Sequence, residues 1–155
     1  MTPTAVPTPS ELVEQVLALV RARGGRVTSA RRQLLEALFE AEGHCTAEDL
    51  AAVVQEKAPD VHMSTIYRNL DELERLGVIV HTHLGHGPAT YHLASSPHGH
   101  LVCERCGATV EAPAEMFSSL ARKARARFGF AIDPRHFAVL GTCAECAAGR
   151  TPSGT

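Results

Sequence analysis

The sequence predicts an α+β protein of two small domains, the first mainly helical and the second a smaller α/β unit. Three observations support this fold class. Before residue 77, four segments repeat their apolar residues at helical spacing, and two short segments of strand-forming residues follow. Two Cys-x-x-Cys motifs then lie between residues 103 and 146. Each small domain of a 155-residue chain would bury little apolar surface. We therefore expect a stabilising cross-link, such as a bound metal ion, in one of them.

Capping and turn residues delimit the four predicted helices. The first helix carries apolar residues from Leu12 to Val20. Hydroxyl side chains are placed to cap the next three helices: Thr28, Thr46 and Ser64. Asp49 follows Thr46 by three residues, which resembles a capping box. Glycines mark the ends of the first, second and fourth helices: Gly24, Gly43 and Gly77.

A β-hairpin is predicted after the fourth helix. Its strands cover about Val78 to His83 and Ala89 to Leu93, and the glycines and proline of residues 85–88 favour a turn between them. Short helices followed by a hairpin are the pattern of a winged helix, so we predict a winged-helix domain over residues 10–93. The short polar stretch at residues 94–97 is predicted to be a hinge.

The second domain is predicted to cover residues 98–148. We expect a strand that runs into Cys103, a strand near residues 108–111, a helix over about 114–128 and a strand over about 135–140. The terminal segments, residues 1–9 and 149–155, are predicted to be disordered tails because they contain mainly small and polar residues.

Composition and charge narrow the possible functions. No stretch approaches 18 consecutive apolar residues, and the first ten residues lack the features of a secretory signal, so we expect a cytoplasmic protein without membrane contact. Residues 1–84 carry eight basic and twelve acidic residues, which argues mildly against binding of nucleic acid. Five arginines nevertheless cluster within twelve positions, and phosphate contacts need such a local patch: Arg21, Arg23, Arg26, Arg31 and Arg32. The alternative is that these arginines form a solvent-exposed charged surface that does not bind DNA.

The cysteines predict a structural zinc site. Two pairs with Cys-x-x-Cys spacing can each place two thiolates on one tetrahedral ion: Cys103 with Cys106, and Cys143 with Cys146. Four sulfur ligands leave no position for water or substrate, so we expect a structural role rather than a catalytic one. A redox-active pair is the alternative. The fifth cysteine, Cys45, is interpreted as a small apolar residue.

The fourth helix is the candidate DNA reader. Its apolar stripe faces inward, which leaves the opposite side free to enter a major groove. Side chains near the N-terminal end of a recognition helix meet base edges. We therefore predict DNA contacts from this end of the helix and from the arginine cluster: Arg31, Ser64, Thr65, Tyr67 and Arg68. An ordinary amphipathic helix remains the alternative.

Histidine pairs suggest further metal binding. His98 and His100 lie two residues apart on an extended segment and therefore share a face, as do His81 and His83. Each histidine by itself is equally explained as an exposed polar residue. No carboxylate accompanies the histidines in an acid/base motif such as His-Glu-x-x-His, so we expect neither an enzyme nor a small-molecule substrate.

Three segments in combination resemble the ferric uptake regulator (Fur) family: STIYRNLDELERLG at 64–77, HGHLVCERCG at 98–107 and HFAVLGTCAEC at 136–146. The segment HTHLGHGPATYHLA at 81–94 is especially similar to the nickel uptake regulator (Nur) branch. The resemblance implies a homodimeric, metal-activated repressor that binds an AT-rich inverted-repeat operator in double-stranded DNA. It also implies that the second domain serves dimerisation and metal binding.

The same resemblance implies two ligand sets. The regulatory set is His44, His92, His98 and His100, and the nickel branch adds a second set of His81, His83 and His136. Four imidazoles suit Ni(II), Cu(II), Zn(II) or Fe(II) and lack the hard oxygen ligand that would favour iron or manganese. The resemblance to the nickel branch implies Ni(II) as the sensory metal, with Zn(II) and Fe(II) as alternatives.

Two features of the sequence qualify the functional assignment. The chain departs from the nickel branch at Ser96, where a further histidine is absent. Its acidic net charge of −2 favours a second reading, a metal-storage or metal-chaperone module that binds no nucleic acid.

Overall fold

The chain folds into two compact units. The computed structural model describes residues 7–41, 43–94, 98–133 and 137–150. One unit comprises the described residues up to Ile79 together with Tyr91–Leu93, and the other comprises Val80–Thr90 together with the described residues from Ala94 on. The predicted domain limits of 10–93 and 98–148 remain predictions, and residues 95–97 of the predicted hinge lie outside the described residues.

The first unit contains four helices in the predicted order. They are α1 (Pro9–Ala22), α2 (Ser29–Glu40), α3 (Ala47–Lys57) and α4 (Met63–Arg75). Thr28 accepts a hydrogen bond from the backbone of Arg31, and Thr46 forms a reciprocal capping box with Asp49, which confirms both predicted caps. The predicted cap of α4 is wrong, because His62 occupies the N-cap position and Ser64 is the second helical residue.

The helices pack around a continuous apolar core. Every helix of the first unit contributes almost fully buried side chains, which are Leu17, Val20, Leu34, Leu35, Leu50, Val54, Ile66, Leu70 and Leu73. Burial of each such side chain stabilises the fold by roughly 1.5–3 kcal/mol. Because Ile66, Leu70 and Leu73 lie on one face of α4, the opposite face of that helix is directed away from the core.

A three-stranded sheet follows the order β1-β3-β2. Its strands are β1 (Cys45–Thr46), β2 (Ile79–His83) and β3 (Ala89–Leu93). The two hairpin strands lie within one residue of their predicted limits. Strand β1 was not predicted, because two residues are too few to show an alternating pattern.

The second unit contains a separate three-stranded sheet in the order β5-β4-β6. Its elements are β4 (His98–Cys103), β5 (Thr109–Pro113), a 3₁₀ helix (Ala114–Phe117), α5 (Ser118–Phe128), β6 (Ala138–Gly141) and α6 (Ala144–Ala147). Strand β4 pairs antiparallel with β5 and parallel with β6. The predicted helix over 114–128 therefore begins as a 3₁₀ turn, and α6 was not predicted.

The structure describes the inner end of each predicted tail. Thr8 caps α1 through a capping box with Glu11, and Pro9 is the first residue of that helix. At the other end, the guanidinium of Arg150 pairs with the Glu145 carboxylate at 2.6 Å. Residues 1–6 and 151–155 lie outside the described residues. No helix within the described ranges combines the length and apolar character needed to cross a membrane.

Candidate functional site

The four paired cysteines meet at one edge of the second sheet. Strands β4 and β6 run parallel, and Cys103 at the end of β4 lies opposite Gly141 at the end of β6. Each Cys-x-x-Cys motif begins where its strand ends, so the parallel pairing brings both motifs to the same edge. Cys143 then serves as the N-cap of α6, which carries Cys146.

The geometry of this cluster fits a tetrahedral metal ion. The sulfur atoms of Cys103, Cys106, Cys143 and Cys146 all lie within 4.8 Å of one another. Those of Cys106 and Cys143 are 3.8 Å apart. Four sulfurs bound to one zinc ion through bonds of about 2.3 Å are separated by about 3.8 Å in a regular tetrahedron. The arrangement therefore fits the predicted structural zinc site.

Backbone amides stabilise the thiolate form of Cys103. The amide of Cys143 donates a hydrogen bond to the sulfur of Cys103 at 3.3 Å. This bond, supported by the amide of Cys106, lowers the pKa of the Cys103 thiol to about 6, whereas burial raises the pKa of the Cys146 thiol. Four sulfur ligands complete the coordination of a tetrahedral ion and leave no position for water or substrate, so the site is suited to a structural ion.

Two histidines of the first unit form a close pair. His44 precedes β1, and His92 lies in β3, which neighbours β1 in the sheet. Their ring centres are 4.4 Å apart, and His92 is buried. Two imidazoles bound to one ion through bonds of about 2.0–2.1 Å have ring centres roughly 4.5–5.2 Å apart. The pair is therefore spaced to bind a common ion.

A second close pair lies on β4 in the second unit. The ring centres of His98 and His100 are 4.8 Å apart, and the His100 side chain is fully buried. Glu111, which the sequence analysis did not single out, lies opposite His100 on β5. Its Oε1 is 3.9 Å from Nε2 of His98. The sequence predicted the two strands that carry His100 and Glu111 but not their pairing. An antiparallel pairing of these strands would have placed Glu111 beside the histidines.

The histidines of the predicted second metal site are less closely grouped. His81 and His83 lie on β2 with ring centres 5.7 Å apart, and His83 is exposed. His136, the third predicted ligand, lies outside the described residues. Among the described residues, the ring centres of this pair are therefore farther apart than those of either pair in the regulatory set.

The outer face of α4 carries most of the predicted DNA contacts. Ser64, Tyr67 and Arg68 are exposed, and Thr65 is partly exposed. The Tyr67 hydroxyl donates a hydrogen bond to the Glu48 carboxylate at 3.2 Å, which raises the pKa of Tyr67 above its ordinary value. The first two turns of α4 thus present hydroxyl and guanidinium groups that suit phosphates and base edges.

Arg31 is placed differently from the other predicted DNA contacts. It is 8% exposed, and its guanidinium donates hydrogen bonds to Asn69, Glu72 and the carbonyl of Arg26. Three of the five guanidinium N–H donors are thus engaged inside the unit. The direct contact of Arg31 with DNA stays a prediction, and Arg31 is more buried than the predicted contacts on α4.

Cys45 lies outside both metal-ligand groups. Its sulfur is 3.5 Å from the carbonyl oxygen of Tyr91, and burial raises the pKa of the thiol to about 11. A protonated, half-buried thiol suits the small apolar role suggested by the sequence.

Comparison with known proteins finds similarity along most of the chain. The sequence model described as "Ferric uptake regulator family" matches residues 22–139. The peroxide-responsive repressor PerR of Staphylococcus aureus is 25% identical over 134 residues, covering 86% of this chain and 90% of PerR.

Solved structures extend the comparison. A zinc uptake regulator complexed with zinc and DNA is 28% identical, with a TM-score of 0.62 and coverage of 93% of this chain and 98% of that one. The ferric uptake regulator from Pseudomonas aeruginosa with manganese is 30% identical, with a TM-score of 0.64 and coverage of 83% and 97%.

Proposed function

The chain belongs to the ferric uptake regulator family, and we propose that it is a nickel-responsive repressor of genes for metal uptake or homeostasis. Members of this family are DNA-binding, metal-responsive regulators of transcription and not enzymes. The observation that carries the proposal is the presence of two closely spaced histidine pairs in addition to the four-cysteine cluster. Because the DNA of its bacterial relatives is cytoplasmic, we place its action in the cytoplasm.

We propose that the two histidine pairs supply one regulatory site. His44 and His92 precede the predicted hinge at residues 94–97, and His98 and His100 follow it. An ion bound by both pairs would restrain the hinge and so select the separation of the two DNA-reading helices in a dimer. A coupling free energy of about 1–3 kcal/mol per site would suffice to switch operator occupancy.

The choice of metal rests on the ligand atoms. Four imidazole nitrogens favour Ni(II), Cu(II), Zn(II) or Fe(II). The second histidine set, an auxiliary site by resemblance to the nickel branch, supports nickel as the sensory metal: His81, His83 and His136. The carboxylate of Glu111 near His98 adds an oxygen donor and strengthens the iron alternative. The similarity to a peroxide-responsive repressor makes an iron-dependent, oxidative-stress function the second candidate.

DNA binding is proposed to occur through α4. Its first two turns offer Ser64, Thr65, Tyr67 and Arg68, and a related zinc uptake regulator is known in complex with DNA. A dimer would present one α4 to each half of an AT-rich inverted repeat, with half-sites about one helical turn apart.

Exposed apolar residues of the second unit support a homodimer. Val110, Val139 and Leu140 are 58%, 38% and 44% exposed, and they line an open apolar hollow of about 370 Å³ on the second sheet. Leu101 lies in the same hollow. Apolar strand faces left open in this way are typical of surfaces that a partner subunit covers.

The proposal is tested by titrating DNA with zinc-loaded protein in the presence of Ni(II), Zn(II), Fe(II) or Mn(II) at fixed salt. We expect operator binding with nickel, abolished by His98→Ala and only weakened by His81→Ala. His86→Ala is the matched control, because His86 is an exposed histidine of the hairpin turn outside both ligand sets. Tightest binding with zinc or iron would replace nickel, and equal binding with and without metal would refute metal regulation. No binding with any metal would favour the storage or chaperone alternative.

A further inference from the structure

Helix α4 is attached to the first unit by buried polar contacts as well as by its apolar stripe. We propose that Arg31, Asn69 and Glu72 form a positioning network that sets the orientation of α4 and thereby its discrimination between DNA sequences. This inference rests on the proposed role of α4 as the DNA-reading helix. It gives Arg31 an indirect function beside the direct DNA contact that the sequence predicts.

The network holds α4 at two points. Arg31, on α2, donates from Nε to Oδ1 of Asn69 at 2.6 Å and from Nη2 to the carboxylate of Glu72. Asn69 and Glu72 are three residues apart and therefore share one face of α4. Apolar contacts are non-directional, whereas hydrogen bonds from the planar guanidinium have a required geometry. Two such bonds, to side chains about one helical turn apart, restrict rotation of α4 about its axis.

Arg31 is itself fixed to the segment before α2. Its Nη1 donates to the carbonyl oxygen of Arg26 at 2.7 Å, and its backbone amide donates to the Thr28 hydroxyl at 3.2 Å. These bonds hold both the backbone and the side chain of Arg31 in place. The guanidinium can therefore act as a rigid reference for the helix that it contacts.

The network also reaches the end of α4 that is proposed to meet DNA. Nδ2 of Asn69 donates to the carbonyl oxygen of Thr65 at 2.7 Å. Thr65 lies in the first turn, between the exposed residues Ser64 and Arg68. The buried contacts with Arg31 are thus connected through one side chain to the backbone that carries the predicted base contacts.

Gly25 leaves space for the carboxylate of Glu72. A Cβ atom at this position would lie 2.7 Å from Oε1 of Glu72 and 2.7 Å from Cγ1 of Val20, both closer than real Cβ atoms approach their neighbours. Because the carboxylate is the far end of a flexible side chain, Gly25→Ala is expected to displace Glu72. This substitution perturbs the network from outside both helices.

The burial of these groups suggests orientation rather than stability as their main contribution. Arg31 and Asn69 are 8% and 6% exposed. Buried ion pairs can often be replaced by apolar residues of similar volume without loss of stability, whereas removal of one partner is costly. An apolar replacement of the whole network therefore separates its effect on stability from its effect on DNA discrimination.

The test uses full-length, zinc-loaded protein with the metal that gives tightest binding in the titration above. Four variants are compared with the wild type: Arg31→Met, the triple variant Arg31→Met/Asn69→Leu/Glu72→Met, Gly25→Ala, and the control Lys57→Met. Lys57 ends α3 outside the arginine cluster, and its ion pair with Glu36 lies at the surface. Stability is measured by denaturant unfolding. Discrimination is the ratio of affinities for a duplex selected in vitro by the wild type and for its scrambled sequence.

We expect Arg31→Met to lower both stability and the affinity ratio, the ratio by about tenfold or more, as for loss of one base contact. The triple variant should regain stability but keep the lowered ratio. Gly25→Ala should lower the ratio, and Lys57→Met should change neither quantity. A triple variant that restores both quantities, or an unchanged ratio in Arg31→Met, would overturn the network's role.

If the triple variant does not fold, an unchanged ratio in Gly25→Ala overturns the inference and a lowered ratio supports it. A wild-type protein that selects no preferred duplex would overturn the proposed DNA-reading function, and this inference with it. If the wild type prefers its selected duplex and the variants show the same affinity ratio, the network has no role in discrimination but the DNA-reading function of α4 stands.

Discussion

Gly99 separates the two histidines of β4, and its missing side chain leaves the space in which Phe117 packs. A Cβ atom at position 99 would lie 2.2 Å from Cε2 of Phe117 and 2.9 Å from Cδ2 and Cζ. Carbon atoms in contact are normally about 3.5–4.0 Å apart, so the ring would have to move by roughly 1.3–1.8 Å. That movement is opposed by the ring of Phe137, whose centre is 4.8 Å away.

We therefore expect Gly99→Ala to destabilise the second unit by about 1–3 kcal/mol, the range for insertion of a methyl group into a packed site. Denaturant unfolding of zinc-loaded protein would measure this cost. Because His98 and His100 flank position 99, isothermal titration calorimetry should also show weaker binding of the sensory metal. The matched control is Gly141→Ala on the neighbouring strand β6, because a Cβ atom at that position meets nothing within 4 Å.

A double-mutant cycle tests the cause. In a Phe117→Leu background the smaller side chain leaves room for a methyl group, so Gly99→Ala should cost clearly less than in the wild type. Additive costs for the two substitutions would refute the steric argument, because they would show that the ring does not oppose the added Cβ.

Three further predictions concern zinc, DNA and helix capping. Removal of zinc by a strong chelator should unfold the second unit, and Cys146→Ser should lower zinc affinity; retained near-UV circular dichroism without zinc would contradict a structural role. Arg68→Ala should reduce the slope of log binding constant against log salt by about 0.9 if Arg68 contacts a phosphate, whereas Arg125→Ala, a control in α5, should leave it unchanged. The two hydrogen bonds from Thr46 lower the pKa of the Asp49 carboxyl, so Thr46→Val should raise the Asp49 pKa in an NMR titration. An unchanged Asp49 pKa would exclude the Thr46 hydroxyl as its main cause, because the backbone bond from residue 46 is kept in the variant.

Much of the local structure followed from the sequence alone. Thr28 and Thr46 were predicted as helix caps because a hydroxyl before an apolar period can satisfy an exposed amide, and the structure confirms both. The cap at Ser64 was wrong because a serine in the first turn of a helix has the same local signature as a cap. The spacing of the cysteines also contained enough information to predict their common site, since two Cys-x-x-Cys motifs have few other uses.

The sequence by itself thus determined the longer helices and the hairpin strands, and which side chains have the chemistry to bind metal, because these properties depend on near neighbours in the chain. Only the tertiary structure decided that Arg31 is buried against α4 and that Glu111 lies beside His98. Both outcomes depend on pairing between elements that the local pattern does not specify. Periodicity identifies the buried face of an element, but the partner that covers this face is selected by packing of the whole unit.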